Sequence, residues 1–315
     1  MRVERARGAR VNGLIDFTSG WLVANVGHDN RAVMRAVRKA RGWAVLDRWD
    51  NPSRLAAEEA LLSTLPDYMD FIALYNSGSE AIDAALRFAC MEVTAHPRGF
   101  HGSTIGAQSI ERAPFTSSDR RWAVLVETFL GPWCEWYSPE EIDALRAHQE
   151  TGGLVIFDEM QSGFGRTGRW WGFEHYDIEP DMVVGGKAIA GGFPLAFVAG
   201  RSWMVNNEPI WESTFSGNAL SSAACVATVE QIRSRRLIER VVELEPMIRE
   251  AFPEAQGKGF AYAFPHPDAD AVVDRALERG VLLLHTGRGT VKMAPPLTIR
   301  KRDLATGLRI IREVV

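Results

Sequence analysis

Cysteine is scarce in this chain: the three that occur in 315 residues, Cys90, Cys134 and Cys225, are widely spaced and form no C-x-x-C. An odd, scattered set gives neither a disulfide framework nor a zinc site. The seven histidines are equally dispersed, so no metal is expected, and a reducing cytoplasm is the expected compartment. A basic excess is missing too. The net charge of −4 argues against a nucleic-acid partner, whose binding domains carry clustered Lys and Arg. No apolar run approaches the ~20 residues that cross a bilayer, so no membrane partner is expected. Arg2, Arg5, Arg7 and Arg10 crowd the N-terminus, yet the V-N-G-L-I-D-F-T-S-G that follows is too polar for the core of a signal peptide. Internal repeats, low-complexity tracts and long flexible linkers are absent as well. What remains, 46% hydrophobic and 24% charged residues, is ordinary for a globular protein with a large core, and the length suggests about two domains.

Strand and helix patterns alternate. Leu14 to Phe17, F-I-A-L-Y from Phe71 and Trp122 to Val126 read as strands. Helices are expected over Asn30 to Arg41, over Pro52 to Leu65, over E-A-I-D-A-A-L-R-F-A from Glu80, and after Ser138-Pro139-Glu140-Glu141, where early carboxylates complement the dipole. Such alternation predicts an α/β fold with a mostly parallel sheet covered on both faces. A helix with Leu237, Val241, Leu244, Met247 and Ile248 on one face, ending by Pro253, leads to a smaller α/β part. There V-L-L-L from Val281 is a strand, Val291 to Leu297 is extended, and Lys301 to Val314 closes the chain with Leu304, Leu308 and Ile311 inward.

The chemistry concentrates between Leu154 and Ala199. One apolar run ends in Asp158 and Glu159; a second, Met182 to Val184, ends in Gly185-Gly186-Lys187. Ligands of open α/β sheets bind at the carboxyl ends of strands, so these polar groups can share a crevice. The glycines would leave room for a planar ligand to approach. Upstream, F-I-A-L-Y runs through N-S-G-S into a helix whose unpaired N–H groups make an anion site, with Ser77 or Ser79 as its cap. Two other motif readings fail. Gly163-x-Gly165-x-x-Gly168 follows its strand too late and opens no helix, and Gly186-Lys187 lacks the first glycine and the hydroxyl of a P-loop.

The words D-E-M-Q-S-G-F-G-R-T-G and G-K-A-I-A-G-G-F-P resemble the class III pyridoxal-phosphate-dependent aminotransferases, and the resemblance extends along the whole chain. It implies a fold-type I transferase: a large cofactor-binding domain over 29–232, and a small domain from 1–28 with 233–315. It also implies a cofactor, pyridoxal 5'-phosphate, with Lys187 as the Schiff-base lysine and Asp158 as the partner of the pyridine nitrogen, so that the ring acts as an electron sink. By the same resemblance Gly78 and Ser79 hold the phosphate, Phe100 stacks on the ring in place of the usual Tyr, and Gln161 contacts the ring hydroxyl. Thr214, in T-F-S-G-N, would reach the phosphate of a neighbouring subunit, which implies a homodimer; the other reading makes it a cap for the helix starting near Leu220.

Three residues are substrate candidates on the same ground. Trp21 either lines the pocket or packs in the core. Glu127 takes a gate position, although Thr128 replaces the family's Pro. Lys292 stands where amino-acid-specific members have Arg, and since Lys cannot grip a carboxylate with two parallel bonds, carboxylate selectivity is left open. The chain is shorter than typical members, trimmed between Ala81 and Phe100, between Gly102 and Glu127, and in the small domain. The expected activity is ping-pong transfer of an amino group from an amine or amino acid donor to a keto acid or aldehyde. The alternatives are an aminomutase or decarboxylating relative with the same cofactor, and a non-catalytic binder on the same fold.

Overall fold

The computed structural model describes residues 8–11, 13–41, 51–92, 98–99, 123–205 and 213–315. Phe100 lies outside them. The expected central sheet is present, with six strands among the described residues in the order Phe71–Tyr75, Ala196–Gly200, Met182–Gly185, Leu154–Asp158, Ala123–Glu127, Arg98–Gly99. The last four run parallel, and only Ala196–Gly200 is antiparallel to its two neighbours.

The strand sequences are almost continuously apolar because both faces are covered. Val124, Val126, Val155, Phe157 and Val183 pack into one core with Ala224, Cys225 and Ala227 of the helix Ala219–Ser234. The alternate residues, Ala123, Leu125, Leu154, Ile156, Met182 and Val184, pack into a second core with Ala81, Ile82, Ala85 and Phe88 of the helix Gly78–Glu92. The period of two in a strand thus divides each run between two layers.

Helix starts follow their local chemistry. Ser138 and Glu141 form a reciprocal capping box for Pro139–Glu150, Asn30 accepts from the first turn of Arg31–Lys39, and Ser77 Oγ accepts from Glu80 N (3.3 Å) at the start of Gly78–Glu92. Asn218 caps Ala219–Ser234, its Oδ1 accepting from Ser221 N at 3.0 Å, so Thr214 does not serve as that cap.

Leu14–Asp16 pairs in parallel with Val281–Leu282 and antiparallel with Arg10–Val11. A second sheet, Gln256–Lys258, Ala261–Pro265, Thr290–Met293 and Leu284–His285, is wholly antiparallel. The single strand expected for V-L-L-L is therefore two. The chain leaves one sheet after Leu282 and joins the other at Leu284, with Leu283 buried at the step. The closing helix, Lys301–Val314, packs Gly307 against the Phe17 ring, where any Cβ would collide. No helix among the described residues is long and apolar enough to cross a membrane.

Candidate active site

Four strands end on one edge of the central sheet. In the register, Glu127 lies opposite Asp158, Asp158 opposite Val184, Gly185 opposite Phe197, and Ala196 opposite Tyr75. The segments leaving that edge therefore deliver Glu127, Asp158, Lys187 and the Asn76–Ser79 turn to one place. They surround a cavity of about 360 Å³, lined also by Trp21, Leu22, Ile82, Phe129, Met160, Gln161 and Ser162. A larger groove of about 780 Å³ lies between Thr167–Trp170 and the helix Leu237–Ala251. It is more open and contains none of these strand-end groups. The smaller cavity is the candidate site, since convergent polar groups on a largely apolar wall mark a ligand pocket.

Lys187 adopts a left-handed backbone, φ 45°, a conformation that costs energy in a residue with a Cβ. It follows Gly186, whose Cβ would press on Met160 Sδ (2.6 Å), and Gly185, whose Cβ would overlap the Phe197 ring. The expected reason for these glycines is corrected here: the space beside them is filled by Met160 and Phe197. Burial pushes the Lys187 amine below its ordinary pKa, against the pull of Asp158 and Glu127. The Lys187 side chain makes no hydrogen bond with a described residue.

Asp158 is buried; its Oδ1 accepts from Met160 N at 2.9 Å, and its other oxygen is left to the cavity. Desolvation raises its pKa while Lys187 lowers it, and the rise wins. The adjoining Glu159 turns the other way. Its two oxygens accept from Thr128 Oγ1 (2.7 Å), Phe173 N (2.6 Å), Ser162 Oγ (2.6 Å) and Gly172 N (2.8 Å). Thr128, which departs from the family pattern, thereby anchors the chain after the neighbouring strand.

Glu127 Oε2 accepts from Gly131 N at 2.8 Å. Burial, reinforced by Asp158, raises its pKa to about 7. A carboxyl protonated up to about 7 in the folded chain but only up to about 4.5 when unfolded makes stability fall as pH rises through that window. The apo Glu127→Gln variant should therefore match the wild type near pH 5 and be more stable above pH 7, by on the order of 2 kcal/mol. Thermal melts across pH 5–8 check this; parallel curves for the two proteins would show that Glu127 is ionised throughout.

Gly78 and Ser79 begin the helix Gly78–Glu92 at the cavity wall. Trp21 is 60% exposed at φ 64° and lines the cavity, so it is not core packing. Gln161 lines the cavity with its Oε1 accepting from Lys292 Nζ at 2.7 Å. Lys292 itself is not brought to the cavity wall. Thr214 is exposed and outside the lining; its neighbour Ser213 accepts from Asn76 Nδ2 (2.8 Å), which ties that segment to the turn before Gly78.

Motif reading left one residue without a task. Arg166, in the R-T-G word, is fully buried and makes no ion pair among the described residues. Its guanidinium donates to Phe260 O (3.1 Å), Pro295 O (2.5 Å), Ser19 Oγ (3.0 Å) and Asn25 Oδ1. Burial pushes its pKa down to about 9, against the field of Asp16. Ser19 and Asn25 flank Trp21 and Leu22, so Arg166 fastens that wall of the cavity to the central loop. No cluster of His, Cys, Asp and Glu among the described residues could hold a metal ion.

The family model described as Aminotransferase class-III matches residues 1–119 and 117–315. An acetylornithine aminotransferase of Methanosarcina mazei is 31% identical over 359 aligned positions, covering 99% of this chain and 91% of the relative. A LysW-aminoadipate semialdehyde/glutamate semialdehyde transaminase of Sulfolobus acidocaldarius is 28% identical, over 95% of this chain and 89% of the relative. Among solved structures, a phospholyase from Arthrobacter in complex with phosphoethanolamine superposes with a TM-score of 0.86 at 23% identity. It covers 99% of this chain and 93% of that one. An acetylornithine aminotransferase from Elizabethkingia anophelis gives 0.83 at 24% identity, with the same coverage. At these identities the superpositions speak to the fold.

Proposed function

This chain belongs to the class III aminotransferase family, and we propose that its pyridoxal phosphate-dependent amino-group transfer is carried out in the cavity where Lys187, Asp158, Gln161 and the Gly78–Ser79 turn converge. The observation that carries this reading is the strand register, which brings Asp158 to the level of Val184 and the segment after it, with Lys187, to one cavity. The donor set fits the cofactor group by group. Backbone N–H groups at the start of Gly78–Glu92 suit a phosphate dianion, an oxygen of Asp158 without a partner among the described residues suits a protonated pyridine nitrogen, and a lysine of lowered pKa suits an aldehyde. When bound, pyridoxal phosphate supplies an aldehyde that condenses with amines and a ring that accepts electrons.

The chain's own residues then have distinct tasks. Lys187 would hold the cofactor through Nζ, and the same amine, kept partly neutral by burial, would take and return a proton at the donor carbon. Asp158 keeps the ring nitrogen protonated; a positive partner there would bring its own raised pKa down again. The apolar wall of Leu22, Ile82, Phe129 and Met160 excludes water. Trp21 and Glu127, which line the cavity, meet the substrate.

The active unit is a homodimer, with Thr214 serving the neighbouring site. Phe215, Leu220 and Leu55, 64%, 50% and 43% exposed, give that surface apolar area for a second copy to cover. A monomeric mass in solution at micromolar concentration would count against it.

The test is a visible spectrum of the purified protein with added pyridoxal phosphate, followed through a panel of amines and amino acids that includes N-acetylornithine. A yellow band should form and bleach with one class of donor, and a keto acid should restore it. A protein that develops no band under these conditions does not work as proposed.

A further inference from the structure

Lys292 belongs to the strand Thr290–Met293 and is 3% exposed, with Nζ 5.4 Å from the centre of the Phe129 ring. Nζ donates to Gly131 O at 2.5 Å and to Gln161 Oε1 at 2.7 Å. Both acceptors are neutral, and Lys292 makes no ion pair among the described residues. An amine spent in this way is not available to a substrate carboxylate.

Its effect falls on Gln161. A glutamine amide has an accepting end and a donating end, and a half-turn exchanges them. With Oε1 committed to Lys292, the NH2 end is the one left to the cavity, where it meets no described partner. Gly131 closes the arrangement. Its N–H goes to Glu127 and its carbonyl to Lys292, while a Cβ at Gly131 would collide with Gln161 Nε2 and approach Glu127 Oε2 to 3.1 Å. The amide is thus gripped at its oxygen and packed against a position with no side chain.

We propose that Lys292 is a positioning residue, which locks the Gln161 amide so that it offers a hydrogen-bond donor to an anionic oxygen on the cofactor ring. This rests on the function proposed above. It replaces substrate recognition by Lys292 with control of the cofactor's ionisation. A donor at that oxygen favours its ionised form and lowers the pH at which the bound chromophore gives up its proton.

The experiment is a double-mutant cycle on the holoenzyme: wild type, Lys292→Met, Gln161→Ala and the double variant, each titrated by visible absorption and melted. Lys292→Met should raise the pH midpoint of the yellow band by about half a unit or more, and the melt reads separately the cost of leaving Gly131 O and Gln161 Oε1 without their donor. Residues that act as one unit are not additive, so in the Gln161→Ala background the same change should add little. Lys292→Arg, which keeps an N–H donor at the end of a long side chain, should hold the midpoint near the wild-type value. If Lys292→Met does not fold, Lys292→Gln replaces it in the cycle. An unchanged midpoint in Lys292→Met would overturn the assignment. So would a shift that persists in full without Gln161, because Lys292 would then act through its own charge. A wild-type protein without a band fails at the earlier step, the function itself, and is thereby told apart from either result.

Discussion

Lys187→Ala is expected to lower kcat/KM by at least about 10⁴-fold, on the order of 5 kcal/mol of barrier, while the protein still folds. The loss is large because the proposed role joins covalent attachment and proton transfer in one amine. No second amine can stand in. Lys292 is held by Gly131 and Gln161, and Lys187 is the one Lys or Arg among the described lining residues. Folding should survive, since the Lys187 side chain makes no hydrogen bond with a described residue and its charge is disfavoured by burial. The cofactor should still bind without a covalent link, and small primary amines added to the assay should restore part of the rate. Steady-state assays and the visible spectrum read all three effects. Turnover near the wild-type rate would remove Lys187 from the mechanism.

The second large effect is on stability. Arg166→Met leaves Phe260 O, Pro295 O, Ser19 Oγ and Asn25 Oδ1 without their donor in a buried place. Each orphaned acceptor costs roughly 1 kcal/mol or more. Relief from burying a cation opposes this, because desolvating one ion alone costs several kcal/mol. Four acceptors outweigh that relief here, since Asn25 and Ser19 also bond Phe164 O (2.9 Å) and Ala294 O (2.7 Å) and cannot turn freely to new partners. The expected net loss is about 3 kcal/mol, a fall in Tm of roughly 5 °C or more. The donor KM should rise as well, because Trp21 and Leu22 lose their anchor. Arg166→Lys should not rescue either effect, since one ammonium cannot span four acceptors held around a planar fork. An unchanged Tm would show that the clamp contributes nothing net.

Much of this site could be read from residue types, because the chemistry restricts them: an amine, a carboxylate and an anion-binding turn, each at a strand end. What the sequence did not reveal depends on where side chains go after the strand. Asp158 and Glu159 are neighbours of similar chemistry, and only the donors on Thr128, Ser162, Gly172 and Phe173 turn one of them away from the cavity. Lys292 was legible as a position and not as a contact, since its acceptors come from two distant segments. Arg166 stands in a plain motif, yet two of its four acceptors are backbone carbonyls, which carry no sequence signal. In the fold, the alternation that predicted the parallel sheet held, whereas a run of leucines does not mark the residue at which one strand becomes two. The glycines before Lys187 make room for Phe197 and Met160, which come from other segments and leave no mark in the local sequence.

The step at Leu283 bears on how the chain must be made. Leu14–Asp16 takes its parallel partner from Val281–Leu282, which follows it far along the chain, with Phe17 N donating to Leu282 O at 2.9 Å. Arg166 waits in the same way for Pro295. On the ribosome the central sheet can assemble well before these partners emerge, but the Trp21–Leu22 wall cannot, and such long-range closure is slow. A nascent chain stalled before Gly280 therefore contains Asp158 and Lys187 beside an open cavity. Asp158 and Lys187 are thus in place before the wall that faces them, and the cavity closes only once the segment from Val281 to Pro295 has been added.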